Sequence, residues 1–347
     1  MAAVLQITGD RPGAGKTSLI GALLLQLNSA GKRAAYYKPL SASAGDDADV
    51  AFFPSLLPET APSVPVPQHL PAASGSSTQP ASEDLVLSDI QAAVTGLMGQ
   101  ADAVLVEGPD LADSKGVSIP YALEVAAALS AKVVLIFGYT KGLTTSAIVQ
   151  GCKPFGDRLT GVLINDVTSY RRRHVEGKLL LELRAQGVPV LGAVAEDRTM
   201  LGVTVQELAD FLGGQWVQEP ENVDARVERF LIGGNIMDAG PTYFGRFSNQ
   251  AVITRGARPD IQMACLTSDP CCIVLTCGEE PVEYIRAEAM QRGVPLILVE
   301  TKTLETAESL GGLLDLATAR SQQKIERFLE LLQNSVDLDT LTSAALG

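Results

Sequence analysis

Residues 6–20 read QITGDRPGAGKTSLI, and the reading of this stretch decides the fold. Residues 3–8 (AVLQIT) have the length and apolar character of a buried strand. A glycine-containing turn follows, and then a helix from about Lys16 to Asn28. Leu19, Leu23 and Leu27, with Ile20 and Leu24, carry the helical period, and Gly31 stands where a helix ends. Gly13 and Gly15 permit backbone angles that turn successive N–H groups inward as an anion nest. The helix beginning near Lys16 adds its positive end. The Lys16 ammonium can neutralise phosphate oxygens, and the Thr17 hydroxyl can ligate Mg²⁺. One feature is out of place for the common form of this loop. The position five before Gly15 holds Asp10, and the glycine, Gly9, lies one residue further back.

Composition narrows the function classes. The 347 residues suffice for two domains, and a hydrophobic content of 46% predicts a folded chain. A net charge of -13 repels nucleic-acid backbones, so no nucleic-acid partner is expected. Met1 leads directly into a strand with no leader pattern, and runs such as KVVLIFGY (132–139) are too short to cross a bilayer. The expectation is a cytoplasmic protein without membrane contact. The five cysteines form no C-x-x-C pair, and Cys271 and Cys272 would alternate across a strand. Buried small hydrophobes in a reducing compartment are the simplest reading. With only His69 and His174, histidine-based zinc or nucleophile chemistry has little support.

Beyond the first helix, near-continuous apolar strands at 33–40, 101–108, 131–139, 159–166 and 189–197 alternate with helices at about 83–99, 120–130, 143–153 and 175–186. That alternation predicts a parallel sheet covered on both faces, with ligands beyond the carboxyl ends of the strands. Lys38, Glu107 and the Gly13–Lys16 loop fall at such ends. Residues 54–82 hold seven prolines and neither lysine nor arginine, so they read as an exposed insertion in the first domain. A second, smaller α/β sandwich follows. Thr204 and Glu207 form a capping box at its first helix, which stops at Gly213-Gly214. Strands are expected at 228–232, 250–254, 271–277 and 295–300, with helices at 259–267, 282–292 and 303–313. A last amphipathic helix carries Ile325, Phe328, Leu329 and Leu332 on one face. Docking on its own domain is the simpler use of that face, and a partner contact the alternative. The expected boundaries are 1–196, 197–320 and a tail of 321–347.

The first domain resembles dethiobiotin synthetase and its relatives, whose loop has five residues between its first glycine and G-K-T; Gly9 to Gly15 fits that spacing. YYKPLSASAG, DDADVAFF, VLVEG and GVLINDV match further family segments in order. The resemblance implies a P-loop NTPase-type fold. Gly9, Gly13, Ala14, Gly15, Lys16, Thr17 and Ser18 would cradle the phosphates of ATP or GTP, and Asn165 would read the base. Thr17, Asp49 and Glu107 would hold Mg²⁺, with Asp46 and Asp47 as competitors of Asp49. Lys16 and Lys38 would act on a transferring phosphoryl group. Arg11 occupies the place of a signature lysine in related partition ATPases, which reaches a partner subunit's phosphates, so a homodimer is expected. EGPDLADS departs from the synthetase. Pro109 removes a donor, Asp110 adds a negative charge, and Ala42 replaces a serine, which counts against biotin-pathway carboxylation.

EDRTMLGVTVQELADFLGG, VITRGARPDIQMA, IVLTCG and VPLILVETKTLETAESL resemble the DRTGG domain that follows such a P-loop domain in the amino-terminal part of long phosphate acetyltransferases. That resemblance implies a second domain that senses a small-molecule effector or assembles subunits. Arg255 and Arg258, beside the helix at 259, form a candidate anion site. The chain ends at Gly347, before any transferase domain, so acetyl transfer is not expected of it alone. The leading expectation is a Mg²⁺- and ATP- (or GTP-) binding regulatory protein, with slow hydrolysis open. An ATP-dependent ligase acting on a small carboxylate or amine, and a partner-binding scaffold, are the alternatives.

Overall fold

The computed structural model describes residues 2–41, 46–69, 87–113, 115–116, 119–234, 240–313 and 317–347. The chain forms two compact units, residues 1–196 together with 319–347, and residues 197–318.

The first unit is built on six strands: β1 (Ala3–Gly9), β2 (Ala34–Tyr37), β3 (Ala103–Glu107), β4 (Lys132–Gly138), β5 (Leu159–Val167) and β6 (Val190–Ala195). Their order is β2-β3-β1-β4-β5-β6, and every pairing is parallel. On one face, Val4, Val104 and Val106 pack with Ile90 and Val94 of the helix Leu87–Met98 and with Val125 of Tyr121–Ala128. Further along that face, Val133, Leu135, Val162 and Ile164 meet Ile148 and Leu183. Each buried branched side chain contributes about 1.5–3 kcal/mol.

The other face holds helix α1 (Lys16–Ser29). Leu19, Ile20, Ala22, Leu23, Leu24 and Leu27 are all buried, so α1 is apolar almost all round and needs cover on its outer side as well. The helix Gln322–Ser335 supplies that cover. Ile325 seats directly on Gly21, where a Cβ would lie 2.6 Å from its Cδ1. The expected amphipathic helix thus belongs to the first unit, not to the unit it follows. Val336 then bridges to Gly192 of β6, and a further helix, Leu338–Leu346, packs on β1 and β3. That last helix was not anticipated; Asp337 caps it by accepting from Thr340 N at 3.0 Å.

The insertion is not wholly loop. Phe53–Leu56 makes a short 3₁₀ turn with Phe53 stacked 3.8 Å from Tyr36, and Gln68–His69 pairs with Leu40–Ser41. Its remainder, from residue 70, lies outside the described residues, as do Ala42 and Ser43.

The second unit has strands β7 (Gln215–Trp216), β8 (Arg229–Ile232), β9 (Gln250–Arg255), β10 (Cys272–Thr276) and β11 (Leu296–Leu298), in the order β7-β11-β10-β9-β8. β7, too short to show a sequence period, pairs antiparallel with β11; the rest are parallel. The capping box of Thr204 and Glu207 is present in both directions, at 3.0 and 2.7 Å. Cys152, Cys265 and Cys272 are buried, and burial pushes the Cys152 and Cys265 thiols up to about 12. The expected alternation of Cys271 and Cys272 fails. Cys271 lies one residue before β10, so no strand geometry turns it away, and it packs on the same core as Cys272. Among the described residues, no helix is long and apolar enough to cross a membrane.

Candidate functional site

Strand order places the site. β1 lies between β3 and β4, with Ile7 paired to Glu107 and Gly9 to Ile136, while Gly138 pairs with Asn165 of β5. The loop that follows β1 therefore emerges between Glu107 on one side and Asn165 on the other, at the carboxyl edge of the sheet.

Asp10, in the position where the shorter loop has glycine, has a structural use. Its N–H donates to Ile136 O at 2.8 Å and its Oδ1 accepts from Gly138 N at 3.1 Å, stitching the loop to β4. Gly9 closes β1, and the turn proper is left to residues 10–15. Gly13 and Gly15 have φ of 78° and 111°. At Gly15 glycine is also required by space, because a Cβ would lie 2.4 Å from Asn165 Nδ2. Asn165 is 4% exposed; its Nδ2 donates to Ala14 O at 3.0 Å, and its Oδ1 is buried without a partner. An orphaned acceptor beside the loop fits a group that a ligand would complete. Ser18 is buried within α1.

Arg11 turns back on its own chain. One terminal nitrogen meets Asp10 Oδ2 at 2.6 Å and the other donates to Gly138 O at 2.8 Å.

Around Thr17 the structure assembles charges from distant segments. Lys38, just past β2, contacts Asp49 Oδ2 at 2.7 Å and Asp47 Oδ2 at 2.9 Å. Thr17 Oγ1 lies 3.4 Å from Asp49 Oδ1. Asp49 is 6% exposed and Glu107 5%. Asp47 caps the helix Ala48–Phe52 by accepting from the N–H groups of Asp49 and Val50 at 2.9 and 3.2 Å, while Asp46 is exposed. The three acids of DDAD are thereby separated: Asp49 faces the loop, Asp47 positions it, and Asp46 faces solvent. Tyr36 donates to Glu107 Oε2 at 2.7 Å.

Burial pushes the Glu107 carboxyl up and Asp49 adds to the effect; Lys38, Lys16 and the Tyr36 hydroxyl oppose it without reversing it. For Lys38, burial favours the neutral amine, but Glu107, Asp49 and the hydrogen bonds to Asp47 and Asp49 outweigh it and hold the ammonium above its usual range. Asp47 is held low, because its bonds from Lys38 and Ser41 overcome its burial.

Two participants carried no recognisable sequence signal of this role. Arg320, in the irregular stretch that leads into the helix Gln322–Ser335, places Nε 2.9 Å from Asp49 Oδ1. Asp110 pairs with Lys16 itself; burial raises its pKa, and Lys16 is the main opposing influence. The negative charge noted in EGPD thus faces the loop lysine. Its position in the sequence was visible, but its partner was not.

Among the described residues, no three histidine, cysteine or acidic side chains cluster so as to hold a metal alone. Thr17 with Asp49 offers hard oxygen donors, and Glu107 lies in the same charge network.

In the second unit, Arg258 is engaged by Asp260, with Nε–Oδ1 and Nη2–Oδ2 contacts of 2.9 and 2.8 Å, and donates to Gly234 O at 3.2 Å. Arg255 instead lines a cleft of about 550 Å³ with Lys302, Thr303 and Cys277. The two arginines expected to share one anion are not combined there.

Residues 3–201 match the AAA domain family and residues 207–313 the DRTGG domain. Phosphate acetyltransferase from Synechocystis sp. is 24% identical over 275 residues, covering 74% of this chain and 39% of that enzyme. The chain spans well under half the length of this relative. Among solved structures, cobyrinic acid a,c-diamide synthase from Mycobacterium smegmatis, with a bound ATP analogue and magnesium, is 16% identical with a TM-score of 0.38, over 57% of this chain and 88% of that one. The CBS and DRTGG domains of Clostridium perfringens pyrophosphatase, complexed with the activator diadenosine tetraphosphate, are 10% identical with a TM-score of 0.28, over 44% of this chain and 75% of that one.

Proposed function

Since the chain belongs to the AAA domain family through residues 3–201, we propose that its first unit binds a nucleoside triphosphate together with Mg²⁺ and that its DRTGG unit regulates the use of that nucleotide. The observation that carries this reading is the convergence of Lys16, Thr17, Lys38 and Asp49 beside the Gly13–Gly15 turn, with the orphaned Asn165 Oδ1 on its other side. Lys16 and the inward-turned loop would hold the phosphates, Asn165 the base, and Thr17 with Asp49 and Glu107 the cation. When bound, Mg²⁺ would neutralise phosphate charge. The site needs that help, since Lys16, Lys38 and Arg320 stand among Asp47, Asp49, Glu107 and Asp110. Regulatory nucleotide binding with slow turnover fits this carboxylate-rich surround better than rapid phosphoryl transfer does. In the second unit, the cleft lined by Arg255 and Lys302 would take a small anionic effector. A soluble homodimer completes the reading.

Titration of the full chain with ATP and with GTP in the presence of Mg²⁺, followed by calorimetry, tests the proposal. Lys16→Ala should abolish measurable binding. Asp110→Asn, which removes the anion now facing Lys16, should tighten it by about ten-fold, the equivalent of ~1.4 kcal/mol. Binding of neither nucleotide, or binding indifferent to Lys16→Ala, overturns it.

A further inference from the structure

The contact of Arg320 with Asp49 sits oddly if its purpose is to fasten the carboxyl-terminal arm. That arm is already held by Ile325, Phe328 and Leu332, all buried, and by the Val336–Gly192 bridge. The Arg320 side chain is 35% exposed. Its partner, in contrast, is a buried carboxylate of the candidate cation site. Asp49 Oδ1 receives Arg320 Nε at 2.9 Å and lies 3.4 Å from Thr17 Oγ1, while Asp49 Oδ2 receives Lys38 at 2.7 Å. Arg320 therefore stands on the carboxylate oxygen that, with Thr17, would face Mg²⁺. A cation cannot use that oxygen fully while the guanidinium holds it.

Arg320 lies in residues 317–320, which belong to neither strand nor helix. It lies two residues beyond Thr318, where the chain leaves the second unit. A guanidinium presents a planar fork of donors that matches phosphate oxygens in pairs, which an ammonium does not.

We propose that Arg320 is a third cation of the nucleotide site, releasing Asp49 when a Mg²⁺-bound nucleoside triphosphate enters and turning its guanidinium to the terminal phosphate. The proposal rests on the nucleotide reading above and adds a specificity: Arg320 discriminates a triphosphate from a diphosphate. In the ligand-free protein Arg320 and Lys38 together neutralise the buried Asp49 carboxylate. With Mg²⁺ and ligand bound, Thr17 and Asp49 would hold the cation, and Arg320 would be available to the anion.

The test compares ATP and ADP affinities, each with Mg²⁺, for the full-length wild type and for the Arg320→Gln, Arg320→Lys and Lys16→Ala variants, with unfolding midpoints as controls. Arg320→Gln is expected to weaken ATP binding by about ten-fold or more while changing ADP binding little, the scale of one charge-assisted hydrogen bond. Arg320→Lys should restore part of the ATP preference. The unfolding midpoint without ligand should stay near that of the wild type. Equal losses for ATP and ADP, or ATP binding unchanged in Arg320→Gln, overturn the proposal and leave Arg320 as a docking pair. Lys16→Ala separates the two readings. If it abolishes binding of both nucleotides while Arg320→Gln does nothing, only the role of Arg320 fails; if the wild type binds neither nucleotide, both fail.

Discussion

The carboxyl edges of the parallel strands in the two sheets are built from opposite materials. At the first, Asp49 and Glu107 are almost fully buried, and Lys38 is held among them. At the second, the buried polar groups are neutral: the hydroxyls of Thr254 and Thr276 and the Gln262 amide, which donates to Arg255 O and Gly256 O. Thr254 bonds to Gly233 O at 2.9 Å, Thr276 to Thr303 at 2.7 Å, and Arg255 is left exposed. Neutral hydroxyls with partners cost little to bury, whereas charges cost several kcal/mol each unless paired. A sheet edge that retains interlocked charges carries a burial cost that the second edge avoids. An edge lined by neutral groups, most of them hydrogen-bonded, costs less to bury.

Breaking the first edge should therefore have the largest effect. Lys38→Met removes the cation shared by Asp47 and Asp49 and leaves Asp49 to the partly exposed Arg320 alone. A loss of about 3–5 kcal/mol is expected, read from urea unfolding at neutral pH.

A smaller, pH-dependent effect is expected at Glu107. Its folded pKa is raised above the ordinary 4.5, so the folded state holds that proton more tightly than the unfolded state does. Its contribution favours folding at low pH and is lost as pH rises from about 4.5 through the folded value. Glu107→Gln cannot ionise but can still accept from Tyr36. Relative to wild type it should gain stability between pH 4 and pH 8, as measured by unfolding at a series of pH values. A constant difference across that range would show that Glu107 is not buried in its charged form.

The second edge should yield least. Arg255→Ala is expected to change stability by no more than ~0.5 kcal/mol, since an exposed side chain without a buried partner is removed. It should also leave nucleotide binding at the first unit unaltered. A large loss of stability would make the second edge like the first and remove the contrast.

The sequence by itself determined whatever is written in contiguous residues. The strand, the Gly13–Gly15 turn, Lys16 and Thr17 and the helix after them can be read in line, because backbone period and glycine conformation are local properties. The alternation of apolar strands and helices was equally legible, and so were the Thr204–Glu207 capping box and the site acids of DDAD and VLVEG as a group. Tertiary structure decided which groups face one another. Asp46, Asp47 and Asp49 look interchangeable in sequence; only the cap geometry of the helix Ala48–Phe52 gives them different tasks. Asp110 became the partner of Lys16 because β3 lies beside β1. Arg320 reached Asp49, 271 residues away, only because α1 is apolar on nearly every side and draws the carboxyl-terminal helix back over it. The helix Leu338–Leu346 is too short to stand on local propensity and forms against β1 and β3. Local chemistry fixed the Gly13–Gly15 loop, while burial of apolar surface chose the charges that surround it.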